Sequence, residues 1–183
     1  MNSILIKNNY LIIRNFIESD RAKQLSKDFK EECKKENAVG DSLVLDCQGM
    51  YNYMPFLELL CEKIPEISEI TEEIILPTYS YARVYRKGNI LNGHKDRPSC
   101  EISLSVHLDG DISWPIWVET PEEKREYVSL NPGDALLYLG CIAEHGREIF
   151  TGEWYAQVFL HYVRSRGPNS SAYFDNRKKF LSP

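Results

Sequence analysis
Four histidines occur in the chain, His94, His107, His145 and His161, all in its second half. His94 and Asp96 stand two positions apart. Residues i and i+2 of an extended segment point to the same side, so this pair can offer one imidazole nitrogen and one carboxylate oxygen to a single metal ion. His145 follows later, at the foot of another strand candidate. Two histidines and one carboxylate on one face of an octahedron leave three positions open. That is the donor set of non-haem Fe(II) sites that admit a co-substrate and O2. A structural zinc site would be closed by four ligands and usually includes cysteine.

The cysteines do not supply such a site. Cys33, Cys47, Cys61, Cys100 and Cys141 are odd in number, irregularly spaced and contain no CxxC pair. They read as free thiols in a reducing cytoplasm, without a disulfide framework. No GxGxxG, GxxxxGK[ST] or GxSxG string is present, so phosphate-loop and serine-nucleophile chemistries are set aside. A Cys141–His145 nucleophile pair has no geometric reason to form along a bent strand end.

Composition narrows the class further. The chain has 183 residues, 43% of them hydrophobic, enough for one sizeable core. Lys plus Arg is 22 and Asp plus Glu is 27, a formal net charge of −5. Such a balance creates no global field for nucleic acid or anionic lipid. The apolar runs of MNSILIKNNYLIIRNF are broken by Lys7, Asn8, Asn9 and Arg14, so neither a signal peptide nor a membrane span is expected. The expected partners are therefore a peptide or small-molecule substrate, with no nucleic acid and no membrane. The sequence does not set the oligomeric state.

The elements that must position these residues follow from periodicity. YLII at 10–13 reads as a short strand. Residues 18–36 read as a helix with one narrow apolar stripe, Ala22, Leu25, Phe29 and Cys33. Residues 37–54 read as irregular, and a second helix is predicted from Pro55 with a continuation to Glu73. From Ile74 the texture becomes β-branched and aromatic. EISLSVHL alternates strictly, with Ile102, Leu104, Val106 and Leu108 on one face and Ser103, Ser105 and His107 on the other. WPIWVE and REYVSL suggest a hairpin, NPGD a turn, ALLYLG a strand, and WYAQVFLHYV the longest strand. The tail, 165–183, reads as loop. Helices followed by seven or eight short strands predict a mostly β sandwich or barrel with N-terminal helices packed outside.

The strings around the candidate ligands carry a resemblance. Tyr85, Gly88, Leu91, His94 and Asp96 match the Y-x-x-G-x-x-(Y/L)-x-x-H-x-D signature of prolyl-4-hydroxylase-like 2-oxoglutarate/Fe(II) dioxygenases, and NPGDALLYLGCIAEHGREIF resembles the segment that brings in that family's distal histidine. The match covers roughly residues 79–163; residues 1–74 carry no motif of the family. The resemblance implies a double-stranded β-helix (jelly-roll) core. It further implies a single dioxygenase domain over 1–183, with 1–74 as helical support, 75–164 as the core and 165–183 as a tail. It implies Fe(II) held by His94, Asp96 and His145, 2-oxoglutarate and O2 as co-substrates, and succinate as a product. Hydroxylation of a peptidyl residue, prolyl above others, or of a free amino acid or small metabolite is the implied reaction.

One position departs from the family. Relatives carry Arg or Lys on the last core strand to bind the far carboxylate of 2-oxoglutarate, and Trp154, Tyr155 and Ala156 stand there instead. A dicarboxylate still requires a cation or several donors. The substitutes available are Arg83 and Tyr85 on the first core strand, Arg97 beside the metal pair, Arg147 beyond His145, and the neutral His107 and Gln157. Each has a plainer alternative: Arg97 pairing with Glu101, Arg147 with Glu144 or Glu148, Arg83 stacked on exposed tyrosines, His107 and His161 as hydrogen-bonded strand residues. Two rival functions use the same residues: a cupin-like metal enzyme without 2-oxoglutarate, and a non-catalytic jelly-roll binding module.

Overall fold
The computed structural model describes residues 1–176. Ten strands run antiparallel to their neighbours: β1 (Tyr10–Ile13), β2 (Gln48–Tyr51), β3 (Ile75–Arg86), β4 (Leu91–His94), β5 (Ile102–Gly110), β6 (Ile116–Glu119), β7 (Arg125–Val128), β8 (Ala135–Tyr138), β9 (His145–Arg147) and β10 (Trp154–Arg164). They form a main sheet in the order β1-β8-β5-β10-β3-β2 and a minor sheet in the order β4-β9-β6-β7. Strands β3 to β10 thus wind between two facing sheets, the double-stranded β-helix the sequence leads one to expect. The expected hairpin is β6–β7, with Trp117 opposite Tyr127.

Among the described residues four α-helices accompany the sheets, α1 (Ser3–Asn8), α2 (Ser19–Lys35), α3 (Met54–Glu62) and α4 (Ile64–Thr71), with 3-10 turns at Pro98–Cys100 and, within the tail read as loop, Ser170–Asn176; the rest of that tail, 177–183, lies outside the described residues. The single helix expected from Pro55 is split at Lys63, which ends α3 and precedes α4. Pro65 lies in the first turn of α4, where its missing N–H and fixed φ are tolerated; inside a continuous helix they would not be. Helix α1 was not expected. It is closed at its start by the Asn2 side chain, which accepts from the Ile4 N–H at 2.9 Å, and at its end by the left-handed Asn9. Strand β2 lies inside the segment read as irregular. The 1–74 region therefore contributes two strands to the main sheet as well as helices.

The core sits between the helices and the outer face of the main sheet. Phe29 of α2, Phe56, Leu59 and Leu60 of α3 and Ile67 of α4 pack against Leu104, Val106, Val158 and Leu160. The alternation in EISLSVHL is thereby given a direction: its apolar face meets helices, and Ser103, Ser105 and His107 point between the sheets, where all three are buried. Among the described residues no helix is long and apolar enough to cross a membrane, and all five cysteines are free. Strand β10, read as the longest, is one of a matched pair with the slightly longer β3.

The NPGD turn fixes the entry to β8. Asp134 accepts from the Asn131 N–H at 2.9 Å, the Asn15 N–H at 3.0 Å and Arg14 Nη1 at 2.6 Å, tying the turn to the end of β1. Gly133 at φ 95° lets the turn pass against the Ile17 carbonyl, where a Cβ would collide. Burial alone would raise the Asp134 pKa, yet the backbone and Arg14 donors hold it below the ordinary aspartate range. A carboxylate depressed in the folded state adds stability above about pH 4, and that stability is lost as the pH falls. Asp134→Ala should cost about 1.5–3 kcal/mol at neutral pH, the worth of hydrogen bonds to a charged group. Urea unfolding at pH 7 and pH 3 checks this: the gap between wild type and variant should narrow on acidification, and an equal gap at both would refute it.

Candidate metal centre
Strand β4 delivers His94 and β9 delivers His145, and the two residues stand directly opposite one another in the β4–β9 register. Their ring centroids lie 4.5 Å apart. His94 Nδ1 faces the Asn92 carbonyl at 2.8 Å and His145 Nδ1 faces the Ala143 carbonyl at 3.0 Å. A carbonyl only accepts, so each Nδ1 carries the proton and each Nε2 presents a lone pair. Both Nε2 atoms are 3.7 Å from Asp96 Oδ1. The three donor atoms fall within 4.8 Å of one another. Donors about 2.1 Å from one octahedral ion stand about 3 Å apart, so a small contraction would close this set on a metal. Burial pushes the His145 pKa below its ordinary value, which keeps the ring neutral as a ligand must be.

Backbone geometry, not side-chain reach, sets this arrangement. The Asp96 N–H donates to the Gly140 carbonyl at 2.8 Å, which pins the segment after β4 to the end of β8. The indole of Trp117 on β6 lies across Gly93 and Gly146, and a Cβ at either glycine would come 2.8 Å from the ring. The indole can cross β9 and reach β4 only because these two positions are bare.

A cavity of about 370 Å³ opens beside the triad. His94, Asp96 and His145 line one end, Arg83 and Asp41 another, and Tyr81 and Phe159 belong to its wall. Arg83 is 3% exposed; its Nη2 meets Asp41 Oδ2 at 2.5 Å and its Nη1 donates to the Tyr85 hydroxyl at 3.1 Å. Its stacking on Tyr81, 5.0 Å from the ring centroid, is therefore buried, not exposed. Burial would raise the Asp41 pKa, and the Arg83 charge and hydrogen bond override it and hold the carboxyl low. Asp41 sits in the 37–54 segment, and nothing in its local sequence distinguishes it.

Arg147 is 1% exposed and lies between Trp114 and Tyr155, 4.8 and 4.9 Å from their ring centroids. Its Nη1 donates to the Trp114 carbonyl and its Nη2 donates to Gln157 Oε1 at 2.7 Å. No carboxylate pairs with it among the described residues, Glu144 and Glu148 included. Gln157 lies opposite both Arg83 and His107 in the main sheet. Among the described residues the buried donors Arg83 Nε, Arg147 Nε and Gln157 Nε2 lack a hydrogen-bond partner. His107 stacks flat on Tyr155 at 4.3 Å and its Nδ1 faces the Leu130 carbonyl at 2.9 Å, which leaves Nε2 a lone pair and no proton to give. Arg97 is committed elsewhere: it forms a double hydrogen bond to Asp175 at 2.5 and 2.8 Å, while Glu101 pairs with Arg164.

No protein-family model matches the sequence, and a search among curated proteins finds no match. Solved structures do resemble it. A Pseudomonas putida prolyl-4-hydroxylase superposes with a TM-score of 0.71 at 14% identity, over 89% of this chain and 96% of that one. HygX from Streptomyces hygroscopicus, solved with nickel and 2-oxoglutarate bound, gives 0.70 at 12% identity, over 89% and 85%. The non-heme alpha-ketoglutarate-dependent carbocyclase SnoK, from nogalamycin biosynthesis, gives 0.71 at 13% identity, over 100% and 92%. The chain thus has the jelly-roll fold of the 2-oxoglutarate/Fe(II)-dependent oxygenases.

Proposed function
We propose that the chain is an Fe(II)- and 2-oxoglutarate-dependent oxygenase. His94, Asp96 and His145 hold the iron, and Arg147, with Gln157 and Arg83, receives the far carboxylate of 2-oxoglutarate. The observation that carries this reading is the pairing of an open three-ligand face with buried donors that lack an acceptor. An Fe(II) ion held by these three residues would, with 2-oxoglutarate and O2, supply the oxidising chemistry, with succinate and carbon dioxide as the co-products.

The residues of the chain account for binding and orientation. Hydrogen bonds from Nδ1 to backbone carbonyls hold both imidazoles with Nε2 inward, so neither ring must rotate or lose a proton to become a ligand. His145 and Arg147, two apart on β9, face the same side, so one strand supplies both a metal ligand and a cation. The guanidinium of Arg147 reaches Gln157 of β10, which brings positive charge to the strand where the family usually has its own cation. A buried guanidinium without an anion is costly, and a carboxylate with two oxygens would satisfy it. Tyr85, fully buried beside Arg83, can add a hydroxyl donor. His107 and Arg97 are left out, the first for want of a proton and the second because Asp175 occupies it.

HygX has also been solved with hygromycin B in addition to nickel and 2-oxoglutarate, and another structural neighbour is a prolyl-4-hydroxylase. For this chain the reading extends to a peptidyl residue or a free amino acid or small metabolite as the molecule oxidised. A cavity of about 370 Å³ is near the lower end for small-molecule sites. Arg83 lines this cavity, whereas Arg147 and Gln157 are buried outside its lining, so a dicarboxylate reaching Arg147 needs the cavity to extend to that guanidinium, and the group to be oxidised enters beside the loops at 37–55 and 86–93.

Two experiments test this. Anaerobic addition of Fe(II) and then 2-oxoglutarate should produce the weak visible charge-transfer band of a chelated ketoacid in wild type, and none in His94→Ala or Asp96→Ala. Iron uptake without a band would favour a metal enzyme that does not use 2-oxoglutarate. In turnover assays Arg147→Met, which keeps the packing volume, should raise KM for 2-oxoglutarate about 10- to 100-fold, the worth of a charge-assisted hydrogen bond. Arg83→Met should raise it less, because Asp41 already shares that guanidinium. If neither changes KM by more than about threefold, roughly 0.7 kcal/mol, the carboxylate is held elsewhere.

A further inference from the structure
Behind Asp96, on the side away from the two histidines, three buried groups meet. Ser103 Oγ lies 3.0 Å from Asp96 Oδ2, 2.9 Å from His161 Nδ1 and 3.2 Å from the Cys100 carbonyl. Ser103 is on β5 and His161 directly opposite it on β10, so the main-sheet register sets their contact. Ser103 is fully buried and His161 is 5% exposed.

A serine hydroxyl has one proton to donate. The Asp96 carboxylate and the Cys100 carbonyl can only accept. If His161 Nδ1 were also a bare lone pair, one proton would face three acceptors around a serine with no exposed surface. The arrangement is consistent when His161 carries its proton on Nδ1 and donates to Ser103 Oγ, freeing the Ser103 proton for Asp96 Oδ2. A chain of donors then runs from β10 through β5 to the carboxylate, all in one direction.

We infer that Ser103 and His161 are positioning residues for the metal-binding carboxylate: His161 orients the Ser103 hydroxyl, which holds Asp96 Oδ2 and turns Oδ1 toward the two imidazoles. The distances divide accordingly, with Oδ2 at 3.0 Å from the serine and Oδ1 at 3.7 Å from each Nε2. Gly140 supports the same reading from another element. A Cβ there would stand 2.5 Å from Asp96 Oδ2 and 2.7 Å from Ser103 Oγ, so the end of β8 leaves room for this hydrogen bond. Asp96 would otherwise swing on two side-chain torsions; held at its backbone N–H and at Oδ2, it keeps one orientation. With its Nδ1 on Ser103, His161 reaches Asp96 through the serine hydroxyl.

The inference rests on the reading of His94, Asp96 and His145 as ligands, and the test separates the two. Titration of the metal-free full chain with Co(II), followed by calorimetry and by the visible d–d bands, should show Ser103→Ala and His161→Phe binding about 10- to 100-fold more weakly than wild type, with altered band intensities. His161→Asn, whose amide nitrogen falls near the place of Nδ1, should recover most of the affinity. The double variant Ser103→Ala/His161→Phe should bind no more weakly than the worse single variant, because both break one chain. Nitrogen-15 spectra of the metal-free protein should show His161 as the Nδ1–H tautomer. A wild type that takes up no Co(II) overturns ligands and positioning chain together. A wild type that binds while Ser103→Ala, folded by circular dichroism, stays within twofold of it overturns the positioning chain alone, as does a His161 protonated on Nε2.

Discussion
The antiparallel pairing of β4 with β9 sets His94 opposite His145, and the surrounding structure preserves that pairing. Strand β9 is only three residues long, too short to hold itself. It is fixed on its far side by β6, where Trp117 stands opposite Gly146. It is fixed from above by the same indole, which fits only over glycine at 93 and 146. Arg125 stacks on that ring at 3.9 Å and covers it. Asp96, beyond the end of β4, is anchored through its backbone to Gly140, so the third candidate ligand is held from the other sheet. The candidate site is therefore a seam between the two sheets.

The polarity of the main sheet follows from the same requirement. A two-sheet protein ordinarily packs apolar faces together. Here β3, β5 and β10 turn apolar residues outward to the helices and place Arg83, two histidines, two serines and Gln157 between the sheets. The helices α2, α3 and α4 are what make this possible, because they supply the second apolar layer. The interior polar groups must then satisfy one another or a ligand, since each unpaired buried donor costs free energy. Most are satisfied within the chain: Arg83 by Asp41 and Tyr85, Ser103 by Asp96 and His161. Arg147 is the exception in charge, and it lies on the strand that carries His145.

Much of this was legible in the sequence, and the reason is local. The i, i+2 spacing of His94 and Asp96 is a local signal, although Asp96 stands just beyond the end of β4. Strict alternation in 102–108 and the NPGD turn mark β5 and the entry to β8 without reference to anything distant. Helix α2 was placed to within a residue at each end by its apolar stripe. Where local signals compete, the reading slipped. Pro65 breaks what looks like one helix, and β2, a strand of Gln48, Gly49, Met50 and Tyr51 with little strand propensity of its own, exists because β3 offers it an edge.

What the sequence by itself determined is a fold class, a candidate ligand set of defined types, and a set of candidate cations. What only the tertiary structure decided is how those cations divide. Arg97 is neutralised by Asp175 from the far end of the described chain, Arg83 by Asp41 from a loop without a signature, and Arg147 by no carboxylate among the described residues. Ser103 likewise meets a histidine on another strand. Pairings of that kind join residues dozens of positions apart and depend on sheet register and burial. Neither is written in the spacing of neighbours, because a side chain's charge state and its free hydrogen bonds are set by whatever the fold brings within about 3 Å of it.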